Sequence, residues 1–81
     1  MCRVRCEPVT DGPGPNEQIV MITSTGGREE VVAPKVDVVG GALRTSAILG
    51  ERNNEVLVEL PRETSSGSWR VWVGRDQLVD P

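Results

Sequence analysis

The chain has no histidine, tyrosine or phenylalanine, and only two tryptophans, two cysteines and one lysine among 81 residues. Each shortage excludes something. Without imidazole there is no Ser–His or Cys–His pair and no histidine acid–base relay. Without tyrosine another common proton donor is gone. Cys2 and Cys6, with no histidine to join them, fall short of a zinc ligand set. No apolar run is long enough to span a bilayer. The basic start "MCRVRC" is not followed by the apolar stretch of a signal peptide. The expectation is a soluble, cytoplasmic chain with no cofactor, no metal and no membrane partner. The glycine-containing stretches "DGPGP", "TGGRE" and "VGGAL" lack the Gly-Lys-Ser/Thr ending of a phosphate loop and read as turns.

The shortage of aromatics also shapes the core. Aromatic side chains normally supply much of the buried area, and 81 residues make a single domain with a thin interior. Val, Ile and Leu must fill it instead. β-Branched residues pack well on a pleated surface and lose rotamer freedom in a helix, so this palette favours strands.

Twelve acidic and nine basic residues give a net charge of −3, with the signs interspersed. That is an ordinary charged surface. It argues against nucleic acid as a partner, because nucleic-acid binders usually carry a basic field.

The periodicities present have period two, not 3.6. "CRVRC" (2–6) alternates Cys2, Val4 and Cys6 with Arg3 and Arg5, as a short half-buried strand does. Cys2 and Cys6 then share a face about 13 Å apart, too far for a disulfide without a bend. They read as small reduced apolar residues. Residues 7–17, rich in Pro and Gly, read as a loop. Residues 18–34 read as a hairpin turning at Gly26-Gly27, with Ile22 opposite Val31 and Met21 opposite Val32. Val36 and Val38 alternate with Lys35 and Asp37. "ALRTSAIL" (42–49) reads as a strand, "GERNN" (50–54) as a turn, and "EVLVEL" (55–60) as the clearest strand of all.

The two tryptophans, Trp69 and Trp72, lie three apart in "WRVWV" and cannot share one strand face. Trp69, Val71 and Val73 form the more apolar set, which places Trp69 in the core. Pairing Leu60 with Trp69 sets Val58 against Val71 and Val56 against Val73. On the outer face Glu59 then meets Arg70 and Leu57 meets Trp72. Both pairs are favoured cross-strand contacts, and a one-residue slip would drive Arg70 among the valines. Pairing Leu49 with Val56 adds Ile48 beside Leu57, giving an outer row of Ile48, Leu57 and Trp72. Three outcomes are open for that row. The N-terminal strand or the 7–17 loop covers it, a second copy covers it, or it meets a separate ligand or partner.

Residues 55–79 run strand, polar loop, strand, tight turn, short final strand. This order resembles the end of SH3-like small β-barrels, in which a short 3₁₀ turn links the last two strands; "GRDQ" (74–77) matches that turn. The resemblance implies an all-β barrel of five to seven short antiparallel strands. It does not extend to proline-rich peptides, whose aromatic groove needs residues absent here. The fold alone does not settle function.

The leading expectation is a non-enzymatic interaction module that binds a protein partner or forms a homodimer through Trp72, Leu57, Ile48 and Arg70. A second is a nucleic-acid-associated barrel using Arg3, Arg5, Arg70 and Arg75, against which the acidic charge weighs. A third is an oligomeric small-ligand binder or enzyme sharing a pocket built from copies of Trp72 and Arg70, since tryptophan beside arginine stacks on planar ligands.

Overall fold

The computed structural model describes residues 2–79, and its regular structure is strand apart from two 3₁₀ turns. The strands are β1 (Arg3–Arg5), β2 (Glu7–Asp11), β3 (Glu17–Ser24), β4 (Gly27–Pro34), β5 (Val38–Val39), β6 (Ala42–Arg44), β7 (Ala47–Arg52), β8 (Glu55–Glu59), β9 (Arg70–Gly74) and β10 (Leu78–Val79). They form three antiparallel sheets, ordered β10-β1-β6-β5, β2-β3-β4 and β7-β8-β9. The 3₁₀ turns are Lys35–Asp37 and Arg75–Gln77. The all-β expectation holds, and the C-terminal 3₁₀ turn falls on "GRDQ". The count of ten strands exceeds the expected five to seven because bends and turns cut several stretches in two.

Alternation explains the interior. Val20, Ile22, Val31 and Ala33 point inward from the β3–β4 hairpin, Val56, Val58 and Leu60 from β8 and its end, and Val71 and Val73 from β9. Val4, Cys6 and Leu43 complete the cluster from β1 and its surroundings. No phenylalanine-sized side chain is needed, because three small sheets bring valines into contact from several directions. The buried Thr45 donates its hydroxyl to the Cys2 carbonyl at 2.9 Å. Among the described residues no buried side-chain polar atom lacks a partner. Both cysteines are free, and burial pushes the Cys6 thiol above its ordinary pKa. Burial thus favours the neutral thiol.

Several local expectations are corrected. Residues 7–11 are strand β2, not loop. All five are exposed, so no alternation marks them in the sequence. Pro8 is tolerated because β2 is a sheet edge, where one backbone N–H can be spared. The β3–β4 turn is Thr25-Gly26, closed by Ser24 opposite Gly27. Gly27 sits at φ +138°, so the glycine requirement falls on the closing residue. The register moves by two residues and keeps every face: Val20, not Ile22, meets Val31. Lys35–Asp37 is a 3₁₀ turn after Pro34, and it leaves Val36 exposed. The 42–49 segment divides at Thr45-Ser46, and β7 runs on to Arg52, leaving Asn53-Asn54 as a two-residue turn. Asn53 takes φ 50°, which asparagine accepts more readily than most residues.

The largest correction concerns Trp69, which is 50% exposed rather than core. Its backbone keeps the expected register, accepting from Leu60 N–H at 2.8 Å. Its side chain leaves the interior because the 61–68 loop folds back over that end of the core. Thr64 bridges to Val31 and is 3% exposed, and Ser65 N–H donates to the Glu30 carbonyl. With Leu60 and Thr64 filling that end of the core, the indole stays outside.

Candidate functional site

Sheet β7–β8–β9 carries all four expected binding residues. The β8–β9 register is the expected one: Val56 meets Val73, Leu57 meets Trp72, Val58 meets Val71 and Glu59 meets Arg70. Val56, Val58, Val71 and Val73 are buried, so Leu57, Trp72, Glu59 and Arg70 belong to the outer face. Arg70 Nε lies 3.4 Å from Glu59 Oε2.

Ile48 does not join the row as expected. A bulge between Ile48 and Gly50 shifts β7, so Ile48 pairs with Val58 and Gly50 pairs with Leu57. Ile48 and Leu49 are left 48% and 44% exposed on the free edge of the sheet.

Trp72 is half-buried, and its ring reaches over β8 to β7. A methyl group at Gly50 would lie 3.9 Å from both Trp72 Cη2 and Leu57 Cβ. On the indole rests Arg52, its Cζ 4.0 Å from the ring centroid. Arg52 is held there by Glu55, Nε to Oε1 at 2.9 Å. Gly50 and Arg52 thus meet the Trp72 ring from its own sheet, while β1 and β2 pair in the other two sheets. Such a stacked cation contributes about 0.5–1 kcal/mol at an exposed site. The spacing holds a prediction: Gly50→Ala adds a methyl in ordinary contact, at a residue without positive φ. It is expected to be neutral or to raise stability by about 0.4–1 kcal/mol, read by urea melts.

At the other end of the face, Trp69, Ser68, Glu59 and Arg70 line an open depression of about 480 Å³. Both tryptophans thus serve this one sheet rather than the core. The sequence argument missed Arg52 and Trp69 as surface groups. A two-residue Asn-Asn turn would have set Arg52 opposite Glu55, so the first signal was there to read. The bend that turns Trp69 outward depends on a long-range loop contact and leaves no local mark.

The four arginines of the nucleic-acid expectation are divided, Arg3 and Arg5 on β1 and Arg70 and Arg75 on β9 and the turn after it. Arg70 pairs with Glu59 and Arg75 with Glu51, while Arg3 and Arg5 lie on a different sheet. A second cavity, about 350 Å³, is lined by Arg5, Cys6, Glu7, Met21, Thr23, Gly41 and Gln77. Among the described residues no cluster of His, Cys, Asp and Glu is placed to hold a metal, and no helix is long and apolar enough to cross a membrane.

No protein-family model matches the chain, and no curated protein or solved structure matches it significantly.

Proposed function

We propose that this chain is an SH3-like barrel acting as a non-enzymatic interaction module, and that it associates with a second copy of itself through sheet β7–β8–β9. The barrel reading is supported by the 3₁₀ turn between β9 and β10, and by the pairing of β10 with β1, which brings the two ends of the chain together as closure demands. The interaction reading rests on one observation. β7 is a six-residue edge strand with one strand neighbour, and it carries exposed Ile48 and Leu49 with no proline or lysine along it. Proteins usually blunt such edges with charge or proline. Here the charges, Glu51 and Arg52, lie at the far end of the strand, and the bulge leaves the apolar Ile48 and Leu49 exposed at the other. The half-exposed Trp69 and the Arg52-covered Trp72 lie on the same sheet.

Oligomeric mass by light scattering, over a wide concentration range, tests this reading. The wild type is expected to be dimeric and Leu49→Lys monomeric with an unchanged circular dichroism spectrum. A wild type that stays monomeric throughout would sink the reading. A dimer indifferent to Leu49→Lys would move the interface elsewhere.

A further inference from the structure

The ionic pattern of this protein is uneven. Lys35 and five arginines (Arg28, Arg52, Arg62, Arg70, Arg75) each have a carboxylate partner within 4 Å. Among the described residues, no such carboxylate partner is found for Arg3, Arg5 and Arg44. In a chain of net charge −3, carboxylates are plentiful, yet among the described residues none pairs with these three cations.

All three share one face of one sheet. Arg3 lies directly opposite Arg44 across β1 and β6, and Val4 opposite Leu43 points to the core. Arg5 follows two residues along β1 on the same side as Arg3. Directly opposite residues have Cβ atoms about 4.5–5.5 Å apart, and like charges there are destabilising. Neighbours two apart on a strand lie about 6.7 Å from each other. Arg5 is also aimed: its Nε donates to the Asp76 carbonyl at 3.2 Å, which sets the guanidinium against the second 3₁₀ turn, and its terminal N–H groups have no hydrogen-bond partner among the described residues. The sheet thus sets two like charges, Arg3 and Arg44, directly opposite each other, with a third, hydrogen-bonded arginine beside them.

We propose that Arg3, Arg44 and Arg5 form a binding site for a phosphomonoester dianion. The charge and the acceptors select it. A carboxylate brings one charge and two oxygens, which one guanidinium satisfies by itself. A phosphomonoester brings about −1.5 to −2 and three acceptor oxygens, enough to bridge two opposed guanidiniums and reach a third. A phosphodiester in a nucleic-acid backbone carries a single charge per phosphate, so it matches the site less well than a terminal phosphate does. This site lies on a different sheet from the proposed dimer edge and stands or falls without it.

The test is a titration followed by ¹H–¹⁵N spectra at a pH where phosphate is dianionic, using inorganic phosphate, a 5′-nucleoside monophosphate, acetate and a single-stranded oligonucleotide without terminal phosphate, all at one ionic strength. Phosphate and the monophosphate are expected to give saturable shifts confined to β1, β6 and the second 3₁₀ turn. Acetate is expected to give none. In Arg3→Gln and Arg44→Gln the affinity for phosphate is expected to fall at least tenfold. Because each variant also removes a repulsion, its Tm without phosphate is expected to rise, so loss of binding is not confused with loss of fold. Absence of saturable shifts with phosphate overturns the proposal, as does undiminished binding in the variants or a lowered Tm. Tighter binding of the oligonucleotide than of the monophosphate overturns it in favour of a nucleic-acid surface.

Discussion

Leu60→Ala is expected to lower stability by about 2–5 kcal/mol, while Trp69→Ala costs less than about 1 kcal/mol. The two residues face each other across one backbone hydrogen bond, Leu60 N–H to the Trp69 carbonyl at 2.8 Å. By size alone the ranking would be reversed, since tryptophan is the larger side chain. Burial decides it: Leu60 is 1% exposed and Trp69 50%. Truncating Leu60 removes buried methyl groups and leaves a cavity between β8 and the 61–68 loop. For a domain of this size each kcal/mol moves Tm by roughly 4–8 °C, so Leu60→Ala is within reach of unfolding the chain at ambient temperature. Urea unfolding of the two variants beside the wild type checks the ordering. Equal losses would return Trp69 to the core.

The second large effect is at a backbone position. Gly27→Val is expected to cost about 1–3 kcal/mol, and Gly26→Ala much less. Nothing lies within 4 Å of a side-chain carbon built at Gly27, so the penalty is not steric crowding. It comes from φ +138°, a conformation that residues with a Cβ rarely adopt. Gly26, next to it, has no positive φ and only the Ser24 hydroxyl nearby, at 4.0 Å. The pair separates backbone strain from packing. The strain is placed where it matters, because Gly27 closes the β3–β4 hairpin, an eight-pair ladder from Ser24–Gly27 to Glu17–Pro34. Thermal melts of both variants, with amide exchange at Thr23 and Arg28 to report on the hairpin end, give the answer. A Gly27→Val variant as stable as wild type would show that the turn relaxes to another geometry.

What the sequence disclosed follows from how many residues voted for each feature. The β8–β9 register was legible because four pairs agreed at once: two valine pairs inside, Glu59 with Arg70 and Leu57 with Trp72 outside. A short turn at 74–77 was legible between two short strands, and its 3₁₀ form was what the resemblance to SH3-like barrels implied. β2 was not, since a strand exposed on both faces carries no alternation. The β7 register was lost twice: the turn is two residues, Asn53-Asn54, rather than 50–54, which moves the pairing by two, and a bulge at Leu49 then moves it back by one and takes Ile48 from the outer row to the edge. The arginine face of β1 and β6 was half legible. Arg3 and Arg5 alternate visibly with Val4, but Arg44 joins them only through a pairing between residues some forty positions apart. The outward turn of Trp69 depends on the 61–68 loop reaching β4, and no window of local sequence contains both.

The placement of β1 has a consequence for how the chain comes to its fold. β1 lies between β6 and β10, paired on both sides, with Val4 opposite Leu43 on one flank and Leu78 on the other. β1 therefore has its inner neighbour some forty residues downstream and its outer neighbour more than seventy residues downstream. The β3–β4 hairpin and the β7–β8–β9 meander assemble from local pairings and need wait for nothing downstream of Gly74. The sheet that holds Val4 cannot be completed until Leu78 and Val79 have been made. Loop closure over that span is an entropic cost that folding meets last. The final step is thus the capture of β10 by β1, and until then β1 presents an open edge with Arg3 and Arg5 along it.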